Sequence, residues 1–230
     1  MTPQTASERF RGGGDDEPSG MTIADIQDAY ADAADLAARF DWVNRLLTGR
    51  YRRCQFGDLE GRVLEVACGT GTNLRYLPDS VEYVGIDISE AMLARAWKTL
   101  DRVDVDGRLE RMDAQNLAFE DDSFDAILSS FSTCTFPDPA AALDEMARVC
   151  RPDGRVLLLE HGPSDVDLIA RCQEYRADAH YERSGCRLTQ EPLAVLERSE
   201  LVLEESDTAQ FGRITTIAAR PPRDGEEVDR

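Results

Sequence analysis

The chain has 230 residues, 42% of them hydrophobic, which is enough to build the core of one large α/β domain. Lysine and arginine total 26 against 45 aspartates and glutamates, so the formal net charge is −19. A field of this sign repels phosphate groups and argues against nucleic acid or acidic lipid surfaces as partners.

The N-terminal region is predicted to lack both a leader and a membrane span. Residues 1–20 are glycine-rich and acidic, without the apolar segment of a signal peptide, and are predicted to be a disordered tail. No apolar run approaches the roughly 20 residues that a span needs. Helices are predicted at Thr22–Ala38 and Asp41–Arg53, within a helical region over 21–57. A cytoplasmic protein is expected, and the acidic balance favours a salt-rich cytoplasm, where screening removes self-repulsion.

From Gly61 onward, short apolar runs alternate with helical stretches. The predicted strands are Arg62–Ala67, Val81–Ile86, Arg108–Met112, Phe124–Ser129 and Val156–Glu160. The predicted helices between them are Thr72–Leu77, Glu90–Leu100 and Pro139–Val149. Because the strands are continuously apolar, they are expected to be buried on both faces of a parallel sheet with right-handed crossovers.

The C-terminal third completes the predicted domain. Helices are expected at Asp165–His180 and Thr189–Ser199, and then Leu201–Glu205 and Ile214–Ala219 pair antiparallel, with Gly212 in or near their turn. The pattern predicts an α/β, doubly wound, mostly parallel seven-stranded sheet (Rossmann-like) over 58–220, with an antiparallel edge hairpin and N-terminal lid helices. Residues 221–230 are predicted to be a charged tail.

Polar groups follow three neighbouring predicted strands. Glu65 is followed by a turn with Gly69 and Gly71, which lets the backbone bend sharply and a ligand approach closely. Asp87 comes 18 residues after Gly69 and can accept hydrogen bonds from two ribose hydroxyls, and Asp113 can meet an adenine amine. These strand ends are expected to meet in one ligand crevice.

An NAD-dependent oxidoreductase is one function compatible with this turn, because those enzymes use a similar glycine turn. Their fingerprint requires a third glycine where this chain has Leu74, and the chain has no Tyr-x-x-x-Lys pair for hydride transfer. A second possibility is a non-catalytic module that binds an adenosine-containing ligand in this crevice and catalyses no reaction on another molecule.

Several spaced motifs resemble those of class I S-adenosylmethionine-dependent methyltransferases. They are Glu65–Gly71, Gly85–Ser89 with Met92, Asp113–Ala114, Phe124-Asp125 and Arg148–Arg155. Ala67 stands where that family often has glycine, and Pro152-Asp153-Gly154 replaces the commoner Pro-Gly-Gly. The resemblance implies S-adenosyl-L-methionine as the methyl donor. Because that donor carries its own leaving group, no metal is expected.

The resemblance also implies which residues contact the donor. Glu65, Gly69 and Gly71 would surround its amino acid part, and Ser129 or Ser130 would lie beside its sulfur. The remaining implied contacts, at the ribose, the adenine and around them, are Asp87, Ile88, Asp113, Ala114, Ala67 and Met92.

Further segments resemble methyltransferases with small acceptors. Residues 39–49 are similar to the lid helices of the ubiquinone/menaquinone C-methyltransferase group, although Phe40 replaces a tyrosine there. Glu160–Gly162 and Gly185–Thr189 resemble a related group acting on small thiols and lipids. The resemblance implies a small apolar acceptor: a quinol-type ring carbon, a thiol or a lipid amine.

His161 follows the fifth predicted strand and is the candidate general base, the alternative being a structural, hydrogen-bonded histidine. Phe131 and Phe136, in the loop after the fourth strand, either line the acceptor pocket or seal the core. The six cysteines form no Cys-x-x-Cys pair, so reduced thiols and no zinc site are expected. A metalloid acceptor held by Cys134, Cys172 and Cys186 is an alternative to buried thiols.

Overall fold

The computed structural model describes residues 42, 44–223 and 225–226. A first helix, α1, covers 44–56. The remaining elements are β1 (Arg62–Val66), a 3-10 turn (Thr72–Tyr76), β2 (Glu82–Asp87), α2 (Glu90–Leu100), β3 (Asp106–Arg111), β4 (Phe124–Ser130), a second 3-10 turn (Thr133–Thr135), α3 (Pro139–Val149), β5 (Cys150–His161), α4 (Asp167–Ser184), α5 (Pro192–Leu196), β6 (Val202–Ala209) and β7 (Ile214–Arg220).

The strands form one seven-stranded sheet in the order β3-β2-β1-β4-β5-β7-β6. The first five are parallel, whereas β7 runs antiparallel to both β5 and β6. Chain order reverses between β1 and β4, the point at which open α/β sheets bind ligands outside the carboxyl ends of their strands. The predicted mostly parallel sheet with an antiparallel edge hairpin is confirmed.

The core lies on both faces of the sheet because the central strands alternate their side chains between two apolar layers. Leu64 and Val66 of β1 pack on one side with Met146 of α3, and Val63 packs on the other with Phe56 of α1. All five side chains are fully buried. Burial on both faces explains why β1 reads as an unbroken apolar run.

Two helices, α2 and α3, have the bounds that the sequence predicts, and the start of each is marked by a capping residue. Ser89 caps α2 by accepting a hydrogen bond from the amide of Met92, and Asp138 caps α3 through the amide of Ala141. The predicted helix at Thr72–Leu77 is instead a single 3-10 turn, because it directly follows the left-handed Gly71.

Some predictions fall on residues outside this description. The predicted helix Thr22–Ala38 lies outside the described residues, as do residues 39–41 and 43 of the segment that resembles the lid helices. Residues 44–49 of that segment belong to α1. The predicted domain boundaries and the lid role of the N-terminal helices therefore stay predictions.

Among the described helices, none is long and apolar enough to cross a membrane.

Candidate active site

A cleft of about 180 Å³ opens at the carboxyl ends of β1, β2 and β4. It lies where the order of the strands reverses, as expected for this architecture. Its lining residues are Ala67, Gly69, Ile86, Asp87, Ile88, Met92, Met112, Asp113, Ala114, Ser130, Phe131, Ser132, Thr135, Phe136 and Pro137.

The turn after β1 is held against the end of β2. The amide of Cys68 donates to the Ile86 carbonyl at 2.8 Å, and the amide of Gly69 donates to Oδ2 of Asp87 at 2.8 Å. Gly69 has φ +56°, and a Cβ at this position would point into open space. The glycine therefore leaves bare backbone facing the cleft, where a ligand can approach without meeting a side chain.

Two non-glycine residues of the cleft have left-handed backbone. Ala67 and Phe131 both have φ 54°, a conformation that costs an L-residue about 1–2 kcal/mol. Strain of this kind concentrates at functional sites, where the surrounding structure holds it in place. For Ala67 it also explains why glycine is common at this position in the family that the motif resembles.

Asp87 is a buried carboxylate at the end of β2. Its Oδ1 accepts a hydrogen bond from the amide of Ser89 at 2.8 Å, while Oδ2 accepts from Gly69. Burial raises the pKa of Asp87, and these backbone hydrogen bonds oppose that rise. Each carboxylate oxygen accepts more than one bond, so capacity remains for hydroxyl groups of a ligand in the cleft.

The neighbouring wall combines one carboxylate with apolar side chains. Oδ1 of Asp113 accepts from the backbone amide of Gln115 at 2.9 Å. Beside it Ile88, Met92 and Met112 line the cleft. A flat heterocycle fits such an apolar wall, and a hydroxylated sugar fits beside Asp87, so the residues present suit an adenosine-type ligand.

Glu65 is buried outside this cleft, in a polar network between β1 and α1. Its Oε1 accepts from Asn73 Nδ2 at 2.7 Å, and its Oε2 accepts from the hydroxyl of Tyr83 at 2.6 Å. Arg52 in turn donates to Oδ1 of Asn73. Burial raises the pKa of Glu65 to about 7, against the opposing effects of both hydrogen bonds and of the charge on Arg52.

The structure thus brings together most of the residues predicted to bind the donor. Eight of them line the cleft: Ala67, Gly69, Asp87, Ile88, Met92, Asp113, Ala114 and Ser130. Three do not: Glu65, Gly71 and Ser129. An added Cβ at Gly71 would lie 2.9 Å from Leu74 of the first 3-10 turn and 3.3 Å from Ala96 and Thr99 of α2. The hydroxyl of Ser129 donates to the Val66 carbonyl at 2.7 Å. Of the three carboxylates expected to converge, only Asp87 and Asp113 do so.

The loop after β4 forms the opposite wall of the cleft. Phe131 and Phe136 both line it, and both also pack against the hydrophobic core. The two interpretations of these phenylalanines are therefore compatible. Glu160 supports the loop from β5, since its buried carboxylate accepts hydrogen bonds from the amides of Ser132 and Thr133.

His161 lies beside this loop in contact with two cysteines. Its Nε2 is 3.1 Å from Sγ of Cys134 and 3.2 Å from Sγ of Cys186, and the two sulfurs are 3.4 Å apart. His161 is absent from the lining of the cleft, and its ring stacks on that of Phe131 at 6.4 Å between centroids. Its role as a base stays a prediction, and the geometry favours a role in the sulfur cluster.

Contacts within the cluster shift the pKa values of Cys186 and His161. The hydrogen bond between Cys186 and Cys134, followed by the hydrogen bond and charge of His161, lowers the pKa of Cys186 to about 4 despite burial. Burial lowers the pKa of His161, but the hydrogen bond and charge of Cys186 and the charge of Glu160 outweigh it, so the net shift is upward. Cys172, which the sequence offered as a third thiol, is exposed on α4 and takes no part.

Sequence reasoning named Cys134 and Cys186, with Cys172, as possible metalloid ligands but did not place His161 beside them. It missed the Arg52–Asn73–Glu65–Tyr83 network altogether. The cluster members are separated by 27 and 25 positions, so no short motif links them. The clearest signal available was that two segments, around His161 and Cys186, resembled one methyltransferase group.

Comparisons with known proteins agree with this geometry. Residues 64–158 match the family model described as a methyltransferase domain. The chain is 37% identical over 126 residues to a phosphatidylethanolamine N-methyltransferase of Cereibacter sphaeroides, covering 54% of this chain and 61% of that protein. It is also 37% identical over 149 residues to the ubiquinone/menaquinone biosynthesis C-methyltransferase of Geobacter sulfurreducens, covering 59% of this chain and 57% of that protein.

A solved structure shares the fold at lower identity. It is an S-adenosylmethionine-dependent methyltransferase from Mesorhizobium loti, with a TM-score of 0.58 and 18% identity, covering 75% of this chain and 97% of that chain. The present chain spans only about half the length of the curated relatives it matches.

Proposed function

Because residues 64–158 match the model of a methyltransferase domain, we propose that this chain is a class I S-adenosylmethionine-dependent methyltransferase that transfers the donor's methyl group to a small apolar acceptor. The observation that carries the proposal is the cleft at the strand-order reversal, with Gly69, Asp87 and Asp113 on one wall and Phe131 and Phe136 on the other. The first wall suits adenosine, and the second suits an apolar acceptor.

The residues of the cleft position the two reactants and exclude water from them. When bound, S-adenosylmethionine supplies an electrophilic methyl group together with its leaving group, S-adenosylhomocysteine, so the chain needs no metal for this step. Asp87 and Asp113 fix the nucleoside end, and the aromatic loop excludes water from the reacting end. Alignment of two bound reactants supplies about 7–11 kcal/mol of barrier reduction in favourable cases.

We favour a lipid-like or quinol-like acceptor because apolar side chains dominate the wall formed by the loop after β4. The two curated relatives are named for phosphatidylethanolamine and for ubiquinone/menaquinone biosynthesis. Incubating the full chain with methyl-labelled donor and a panel of quinols, thiols and lipid amines tests this. Label transfer to one class supports the proposal. Donor binding without transfer to any class would favour a non-catalytic module.

An NAD-dependent oxidoreductase is disfavoured by Leu74, where the dinucleotide fingerprint needs glycine and where the side chain is buried in the core. Calorimetry with S-adenosylhomocysteine and fluorescence titration with NADH separate the two functions. Micromolar binding of S-adenosylhomocysteine without binding of NADH supports the methyltransferase. Binding of NADH without binding of S-adenosylhomocysteine would refute it.

Replacing Asp87 is expected to weaken donor binding. The Asp87→Ala variant loses charge-assisted hydrogen bonds to the ribose, so affinity for S-adenosylhomocysteine should fall by about 1.5–3 kcal/mol, roughly 10- to 150-fold. The matched control is Asp104→Ala, which removes an exposed carboxylate of the same type. Calorimetry measures both variants, and thermal unfolding reports any loosening of the turn at Gly69. Wild-type affinity in the Asp87 variant would contradict the assignment.

We further infer that the protein works in a salt-rich cytoplasm and does not bind nucleic acid, since its formal net charge is −19. Salt screens repulsion between surface carboxylates, so the melting temperature is expected to rise from dilute buffer to molar KCl. Differential scanning calorimetry at both salt concentrations measures this. An unchanged or lower melting temperature in KCl would count against a halophilic setting.

A further inference from the structure

The cluster of Cys134, His161 and Cys186 gathers metal-ligating atoms from three separate parts of the chain. Cys134 lies in the 3-10 turn after β4, His161 ends β5, and Cys186 follows α4. Their Sγ, Nε2 and Sγ atoms all lie within 4.8 Å of one another. The chain has only two histidines, and one of them belongs to this cluster.

The distances are close to those of a coordination site. Around tetrahedral zinc, bond lengths of about 2.3 Å to sulfur and 2.0–2.1 Å to nitrogen place two sulfurs roughly 3.8 Å apart and sulfur and nitrogen roughly 3.6 Å apart. Here the corresponding separations are 3.4 Å between the sulfurs and 3.1 and 3.2 Å to the nitrogen. Outward shifts of a few tenths of an ångström would admit the ion.

Backbone contacts outside the cluster already hold these segments together. The amide of Arg187 donates to the Cys134 carbonyl at 2.9 Å, and its guanidinium donates to the Phe136 carbonyl at 2.7 Å. Cys134 is buried, and Cys186 is half-buried. The ligand atoms are thus brought together by the fold before any ion binds, which lowers the conformational cost of binding it.

We propose that Cys134, His161 and Cys186 bind one thiophilic divalent ion, zinc(II). Two thiolates and one imidazole are a ligand set that zinc prefers, and with three protein ligands a fourth position is available to water or to an incoming group. The ion ties the loop that carries Ser132, Thr135 and Phe136 to the end of β5. It thereby stabilises the wall of the cleft opposite the nucleoside wall.

The site is tested by metal content rather than by methyl transfer, so its failure is distinguishable from failure of the proposed function. The full chain is produced with zinc supplied and analysed for bound metal, alongside Cys134→Ser, Cys186→Ser and the control Cys172→Ser, which changes an exposed cysteine outside the cluster. We expect about one zinc per chain in the wild type and in Cys172→Ser, and a loss of at least tenfold in occupancy in the other two.

Two measurements on the wild type keep the proposal falsifiable if a variant fails to fold. Cobalt(II) added to metal-free protein should give a sulfur-to-cobalt charge-transfer band, and stripping zinc with a chelator should lower the melting temperature by about 5–10 °C. A folded wild-type chain without zinc, without the cobalt band and with all six thiols free would overturn the proposal. A count of four free thiols after unfolding would also overturn it, in favour of a Cys134–Cys186 disulfide.

Discussion

Substituting Gly69 with valine is expected to reduce affinity for S-adenosylhomocysteine by about 3 kcal/mol or more, a loss of roughly 150-fold or more. The side chain of the variant would project into the open space in front of the turn, where the protein itself offers no contact within 4 Å. A ligand that approaches the bare backbone there must then move away from Asp87, whose carboxylate is bonded to the same turn.

The control for this substitution is Gly225→Val. Gly225 also has positive φ, +82°, and also has nothing within 4 Å of an added Cβ, but it lies near the C-terminus, outside the cleft. Both substitutions place valine at a left-handed position, which costs about 1–2 kcal/mol locally, and thermal unfolding shows whether each variant stays folded. Calorimetric titration should separate them. If Gly69→Val bound the ligand as tightly as Gly225→Val, the turn would not face the donor.

Replacing Glu65 with glutamine is expected to change how stability depends on pH. The pKa of the buried carboxyl is about 7 in the folded protein, against an ordinary value of 4.5. The folded state therefore holds this proton more tightly than the unfolded state, and stability falls as the pH rises from about 4.5 to 7 and is level above that. The shift corresponds to about 3 kcal/mol, a contribution that the neutral glutamine lacks.

Urea unfolding of wild type and Glu65→Gln between pH 4.5 and 8 measures this effect. As the pH rises, the unfolding free energy of wild type should fall by about 3 kcal/mol relative to that of Glu65→Gln. Taking the difference removes the contributions of Asp87 and Glu160, whose raised pKa values act in the same direction in both proteins. Glu60→Gln, at an exposed position just before β1, should give a constant difference. A constant difference for Glu65→Gln as well would refute the buried-carboxyl explanation.

The fold was predictable because its signals are local. Ser89 and Asp138 mark helix starts by capping chemistry, and the apolar runs of β1 and β4 indicate burial on both faces. The nucleoside end of the cleft was also largely predictable, since Gly69, Asp87 and Asp113 each follow a strand directly. Parallel strands bring such positions to one edge whatever the details of packing.

The direction of side chains within a strand was harder to predict. Glu65 lies one residue before the end of β1, and the two-residue period of a strand turns it toward Tyr83 while Val66 faces the opposite layer. The contact of His161 with Cys134 and Cys186 was missed for a different reason. It depends on how the loop after α4 returns to β5, and such long-range packing leaves no spacing pattern in the sequence.

The anchoring of α1 has a consequence for how the cleft admits its ligands. The side-chain amide of Gln55 donates to the carbonyls of Leu158 and Ile217, at 2.8 and 2.9 Å, and so bridges two strands of the sheet. One turn earlier, Arg52 joins the buried network of Asn73 and Glu65. Swinging this helix outward would leave buried donors and charges unpaired, at several kcal/mol. Residues 52–56 are therefore expected to stay packed against the sheet, and ligands must enter and leave the cleft while this part of α1 remains in place.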